Sequence, residues 1–377
     1  MKIRIVLLSL LAISLALPIY AADVFVAPGD PIPGNVEGTV TLLPGQHTTA
    51  TTVEVTKSMT LTAQPGAVWT STADPAIAVH ANDVTISNLN LISANPTATA
   101  IVSGSPVTLV QPSHRVSVIS CKIEGFVSGI LNVYGDWFVA RDNEVTGTGA
   151  LLDPLFSDTV GILNTMGSNA VIEKNKVSGF LDGIFVSGSH GRASNNRITN
   201  SNGSIIFCNW TLPVAGESNY YGGLIPNNAA NYWNVHSNEI SDGVFVPDYF
   251  GIPSPVIGIQ AMDGANHNMI SNNRISGVQV DIGLYGSLTP FSALTGPIPK
   301  THENVVVPGP EEVTINWGDD PDPTYGNVIV GSGPMDAQER ALYNDVRLNA
   351  GPPKVKPAPP AQSVRALSAK WGDIKTQ

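Results

Sequence analysis

An all-β fold of short stacked coils is what this sequence predicts, on three observations. Charged residues make up only 13% of the 377-residue chain, while Gly, Pro and Asn number 36, 29 and 30. Those three residue types suit tight turns and cost helical stability. A short segment carrying an Asn recurs along the middle of the chain, and a Gly-Ile strand signal recurs beside it. The hydrophobic content of 42% supplies a core, which excludes a disordered chain.

The elements follow in chain order. Met1-Lys2-Ile3-Arg4 precede an apolar run from Ile5 to Leu17, and Ala21-Ala22 follow. A basic start, a short apolar stretch and a small-residue exit predict a secretory leader over residues 1–21. The run is about 13 residues, shorter than the roughly 20 that span a bilayer. No later segment is long and apolar enough to span either. The expected location is secreted or periplasmic, with no membrane span.

A β domain is expected over 22–336. Gly38–Gly45, Val53–Leu61 and Ala78-Val79 read as its opening coils. The repeat is clearest in Phe138–Val145, Ala170–Val177, Gly191–Ile198, Trp233–Ile240 and Asn268–Ile275. Each has a small or apolar residue, an Asn three places later and a Val or Ile two beyond that. The Asn residues are Asn143, Asn175, Asn196, Asn238 and Asn273. Earlier, Leu89 and Cys121 hold the same place. The spacings 121→143 and 175→196 are 22 and 21 residues, and the longer ones read as one coil plus an insertion, or two coils. Gly129-Ile130, Gly161-Ile162, Gly183-Ile184 and Gly258-Ile259 open the companion strands. So short a unit cannot bury its own apolar face, but stacked units can.

These segments resemble the repeats of the pectin-lyase-like superfamily of right-handed parallel β-helices, over roughly residues 40–330. The resemblance implies a solenoid of about 22-residue coils and an internal ladder formed by Asn143, Asn175, Asn196, Asn238 and Asn273. Asn suits such a column by tolerating the left-handed conformation and satisfying buried backbone groups. The opening coils are similar to the entry of exported β-helix proteins, including periplasmic ones that assist copper-enzyme maturation. In this register Cys121 and Cys208 lie about four coils apart, near 19 Å at the usual strand spacing, too far for a disulfide. Both are expected as free thiols.

Family enzymes of this fold act in a groove along one sheet. Here the insertions 146–160, 209–232 and 241–256 interrupt the repeat and are rich in aromatic residues. They could wall a cleft, with Trp210, Tyr220, Tyr221, Tyr249 and Phe250 stacking on sugar rings and Gln260 on its floor. The outward floor residues are either Leu131, Leu163, Phe185 and Gln260 or Asn132, Asn164, Val186 and Ala261. Neither set carries the carboxylates and basic residue that the family's lyases use, and the paired Asp and Gly-His-Gly motifs of polygalacturonases are missing. If the protein is an enzyme, Asp158 and Asp248, on two insertions from one corner, are the first acid–base pair for glycoside cleavage. Asp153, Glu217, Asp263 and His267 are further polar candidates. Asp136, Ser168 and His190 fall at nearly equivalent turns, but Ser lies between Asp and His, so the order defeats a triad.

No cofactor is expected, and no metal site. Glu311, Glu312, Asp319, Asp320 and Asp322 lack the spacing of a Ca²⁺ loop, although Ca²⁺ is the cation these acidic residues could take. Between residues 22 and 337 stand ten basic and 27 acidic residues, a net −17 that argues against nucleic acid. The region 337–377 reads as a cap helix over 337–348 and a Pro-rich basic tail. The expected partner is a polysaccharide or cell-envelope glycan. The leading expectation is recognition of a neutral or weakly charged glycan through the loop-walled face. A polysaccharide lyase or glycoside hydrolase is the alternative, and a periplasmic accessory or structural protein a third.

Overall fold

One coil shows how the chain is built. Val139–Arg141 is followed by Asn143, then by Glu144–Gly147, then by Val160–Asn164, and the chain returns one level up at Val171–Glu173. Val139 pairs with Val171 and Ala140 with Ile172, in parallel and in register. The computed structural model describes residues 23–104, 112–149, 159–207, 230–249, 252–254, 256–262, 264–284, 304–307, 315–316, 327–330 and 334–352. Among the described residues, such pairings build three parallel sheets of twelve, nine and ten strands. Parallel strands reached by crossovers take the right hand, and the chain is a right-handed parallel β-helix. A separate hairpin pairs Val246–Tyr249 with Ile252–Ser254.

Each sheet sends an aliphatic column inward. Ile130, Ile162, Ile184, Ile205, Ile259 and Ile282 stack from the ten-stranded sheet. Val118, Ala140, Ile172, Ala193, Val235, Ile270 and Val306 stack from the twelve-stranded sheet. Ile123, Val145, Val177, Ile198, Ile240 and Ile275 complete the core from the nine-stranded sheet. A core residue therefore meets its equivalent on the next coil, which is why a unit of about 22 residues folds only as an array.

The Asn residues occupy the turn between the twelve- and nine-stranded sheets. The Oδ1 of Asn175 accepts from the backbone N–H of Asn143 at 3.0 Å and from its Nδ2 at 2.9 Å. Its own Nδ2 donates to Ala140 O at 2.9 Å and to Asn196 Oδ1 at 3.0 Å. Asn196, Asn238 and Asn273 continue the same pattern upward. At the lower end Cys121 N–H donates to Asn143 Oδ1 at 2.9 Å. The conformational reason for the Asn differs from the expectation. The left-handed position is the residue before each Asn: Asp142, Lys174, Asn195, Ser237 and Asn272 have φ between 51° and 58°. The ladder Asn is used for its amide alone, which both accepts and donates inside the core.

The Gly of the Gly-Ile signal also has a different cause from a turn. Gly129, Gly161, Gly183 and Gly258 lie in strands and are not among the positive-φ glycines. They stand where a side chain would strike the core. A Cβ on Gly183 would lie 2.6 Å from both Ile198 Cγ2 and Ser204 O, and one on Gly258 2.6 Å from Ile275 Cγ2. These glycines let the ten-stranded sheet close onto the nine-stranded one.

At the N-terminal end, Ile32 and Val36 pack into the interior cluster. Their neighbours Pro28, Pro31 and Pro33 carry no N–H, so this stretch offers no regular edge for further strands. At the other end, α1 (Ala337–Asn349) begins with a capping box: the Asp336 carboxylate accepts from Gln338 N–H and Glu339 N–H, and the Glu339 carboxylate accepts from Asp336 N–H. Val346 of α1 packs with Val305 and Val328, which face outward from the twelve-stranded sheet. The helix thus lies on the flank of the last coils, tied by Tyr232 Oη donating to Asp345 at 3.1 Å. No described helix is long and apolar enough to cross a membrane.

Candidate functional site

Two outward faces compete as the site. On the ten-stranded sheet, Val102, Leu131, Leu163, Phe185 and Ile206 stand in register and form an apolar cluster separate from the core. The outward set of the Gly-Ile strand is therefore Leu131, Leu163, Phe185 and Gln260, while Asn132, Asn164, Val186 and Ala261 face in. This outward column is buried. Gln260 is only 6% exposed, and its amide reaches Met262 Sδ at 3.1 Å, a weak acceptor. The neighbouring outward column, Ser128, Val160, Asp182, Gly203, Ile257 and Val280, is buried as well. It holds one charged residue, Asp182, 5% exposed, which the outward sets read from the sequence had missed. Its position one place before Gly183 was the available signal. A floor so apolar and enclosed offers few partners to sugar hydroxyls, which lose water on entering it.

The nine-stranded sheet is the opposite case. Lys122, Glu144, Lys176, Arg197, Glu239 and Arg274 form one outward column, each in register with the next. Glu124, Thr146, Ser178, Thr199 and Ser241 form the second. A shallow depression of about 390 Å³ lies between them, lined by Glu144, Thr146, Lys176, Ser178, Arg197, Thr199, Asn200 and Asp242 among others. Asn200 Nδ2 donates to Ser178 Oγ at 3.1 Å, and Ser241 Oγ to Asp242 at 2.9 Å. Glu124 lies 2.7 Å from Lys122 and holds its ammonium above the ordinary lysine range. The face presents hydroxyls, amides and both charges to water. Sequence reading passed over it, because its residues look like ordinary solvated strand positions until register joins them.

The remaining sequence-based candidates fall as follows. Asp158, Trp210, Tyr220, Tyr221 and Phe250, with Asp153, Glu217 and Asp263, lie outside the described residues, as does Cys208. Asp248 and Tyr249 are on the strand Val246–Tyr249. Trp233, next to the aromatic insertion, is a core residue and donates from Nε1 to Gly188 O at 3.0 Å. Asp136 and Ser168 are equivalent, but His190 is one place out of step with them: Ser168 N–H donates to Asp136, and Ser168 Oγ meets Ser189 Oγ at 2.9 Å. His190 instead stacks on Tyr232, with ring centroids 5.1 Å apart, and Tyr232 on His267 at 5.0 Å. These rings project from left-handed corner residues beside α1. Among the described residues no group of three His, Cys, Asp or Glu is arranged to hold a metal ion.

A second Asn column was also missed. Asn268 N–H and Nδ2 donate to Asn304 Oδ1, and Asn304 donates likewise to Asn327. The signal was present as Asn268-Met-Ile, Asn304-Val-Val and Asn327-Val-Ile.

Cys121 is a free, buried thiol. Burial pushes its pKa up to about 12, so almost no thiolate forms near neutral pH. In a Cys208→Ser variant, native protein at pH 8 should leave this thiol unlabelled by an aromatic disulfide reagent, with one equivalent reacting after denaturation. Rapid labelling of the native protein would contradict its burial.

No protein-family model matches the sequence. No curated protein matches it either. Solved structures do show similarity. An alginate lyase from Paenibacillus sp. str. FPU-7 is 11% identical with a TM-score of 0.40, over 82% of this chain and 96% of that one. The A-module of the Azotobacter vinelandii mannuronan C-5 epimerase AlgE6 is 12% identical, TM-score 0.37, over 79% and 91%. The catalytic domain of a GH87 alpha-1,3-glucanase is 10% identical, TM-score 0.43, over 82% and 68%. These neighbours are pectin-lyase-like parallel β-helix proteins. The assignment of this chain to the parallel β-helix class stands on its own three sheets, and no residue role is carried across from them.

Proposed function

We propose that the protein recognises a polysaccharide along the outward face of its nine-stranded sheet, as an exported carbohydrate-binding protein. The supporting observation is the polar depression between Thr146, Ser178 and Thr199 and the charged column beside them. A coil rise of about 4.8 Å sets successive hydroxyls at a repeat close to the length of one sugar residue. An extended glycan lying along the solenoid can therefore meet an equivalent donor and acceptor on each coil. The face is exposed before binding, so it is reached without opening the core. The reading moves the glycan from the loop-walled face of the ten-stranded sheet, whose described floor is apolar and enclosed, to the open neighbouring sheet. That same enclosed floor favours the second reading, a periplasmic accessory or structural protein.

A panel of linear glycans, scored for both binding and release of reducing or unsaturated ends, tests the proposal. Binding without product is the expected result. The combined Thr146→Val, Ser178→Ala and Thr199→Val variant should lose roughly tenfold or more in affinity, from three hydrogen bonds at about 0.5–1.5 kcal/mol each. Product formation that disappears in Asp248→Asn would replace the proposal by an enzymatic role. Absence of binding to every glycan would leave the structural reading.

A further inference from the structure

We infer that the nine-stranded sheet carries an anion subsite between Lys176 and Arg197, fitted to a carboxylate or sulfate group on a sugar of the bound glycan. The inference rests on the proposed glycan reading and gives it a substrate class. Its first ground is the order of charges along one column. Lys122 faces Glu144, Glu144 faces Lys176, Arg197 faces Glu239 and Glu239 faces Arg274, each pair opposite in sign and in register. Lys176 and Arg197 break the alternation, being in register with one another and alike in charge. Like charges directly opposite on neighbouring strands are destabilising. A ligand anion between them removes that cost.

The second ground is place. The break in alternation falls at the depression, which Lys176 and Arg197 both line together with Ser178, Thr199 and Asn200. The hydroxyls and the amide can serve the neutral part of the same sugar. Glu144 and Asp242, the acidic residues of the lining, leave its formal charge balanced, so the site suits one anionic group among neutral ones. Lys176 Nζ lies 3.8 Å from Glu144 and its side chain is 69% exposed. Arg197 makes no ion pair within 4 Å among the described residues. A planar guanidinium can grip both oxygens of a carboxylate or sulfate.

The third ground is economy of charge in an acidic chain. Between residues 22 and 337 there are ten basic residues, and four of them, Lys122, Lys176, Arg197 and Arg274, stand in this one column. Only Glu144 and Glu239 oppose them there. The body as a whole is acidic, while this column gathers basic residues and sets Lys176 and Arg197 side by side at the depression.

The test compares oligogalacturonides, sulfated dextran oligomers and uncharged malto-oligosaccharides of similar length by calorimetry on the full chain. The wild type should bind one anionic series at least tenfold more tightly than the neutral one. Which series is preferred tells carboxylate from sulfate. Lys176→Gln with Arg197→Gln should abolish that preference, so that anionic and neutral oligomers bind the variant with affinities within twofold of one another. Lys122→Gln, in the same column outside the depression, should keep the preference for the anionic series. Circular dichroism melting of each variant controls for folding, which exposed substitutions should leave intact. Equal affinity for anionic and neutral oligomers would overturn the subsite and keep the glycan reading. An equal loss of preference in Lys122→Gln would reduce it to a general field and also overturn it. If none of the oligomers bound, both would fall.

Discussion

Asn175→Ala is expected to destabilise the β-helix by about 3–5 kcal/mol, with Asn196 and Asn238, which make the same four bonds, its equals in the ladder. The side chain is buried and makes four hydrogen bonds. Its Oδ1 accepts two from Asn143, and its Nδ2 donates to Ala140 O and Asn196 Oδ1. Alanine would strand Asn143 N–H and Ala140 O in a dry core, and each orphaned group costs about 1–3 kcal/mol. The column couples five coils, so the loss is not confined to one turn. Urea denaturation followed by circular dichroism measures it. Repeats in an array unfold in stages, and limited proteolysis shows which coils open first. A loss below about 1 kcal/mol would mean that water or backbone movement satisfies these groups without the Asn.

Gly161→Val is the second large effect expected. A Cβ at Gly161 would overlap Val177 Cγ1 and lie 2.6 Å from Gly183 O on the next coil. One neighbour is packed core and the other is backbone held in the sheet. Overpacking a core by methylene groups costs about 1–3 kcal/mol. Alanine should fall in that range, and valine, which adds two further carbons toward the same obstacle, should exceed it. Gly149 provides the contrast. Nothing lies within 4 Å of its would-be Cβ, and its φ is +78°. Gly149→Ala should therefore cost only the conformational penalty of about 1–2 kcal/mol. Soluble yield and melting temperature of the three variants order them. If Gly161→Val were no more damaging than Gly149→Ala, crowding against Val177 and Gly183 O would not explain the Gly-Ile signal.

These two residues also show what could be read in advance and what could not. The recurrence of Asn at coil intervals was visible, because each coil needs the same internal hydrogen bonds at the same corner. The cause of each Gly was not. A Gly before Ile looks the same whether it turns the chain or lets two sheets meet, and the difference is the position of Val177 and Gly183 O one coil away. Asn268 is harder to read as a column: its partner Asn304 matches it in pattern but is 36 residues distant, well beyond one coil.

The candidate face was the least legible part. Lys176 and Arg197 are unremarkable in a sequence, each an exposed residue after a ladder Asn. Only parallel register sets them opposite one another and leaves Glu144 and Glu239 outside the pair. The choice of which Gly-Ile residues face outward was likewise undecidable until strand pairing was known, since a one-residue shift exchanges the two faces. Sequence by itself determined the solenoid, its coil length and the polar corner of its core, because those follow from local composition repeated at a fixed interval. The tertiary structure decided which sheet is closed and which is open to a ligand. That depends on what stacks above, below and beside each coil, and sequence order does not contain it.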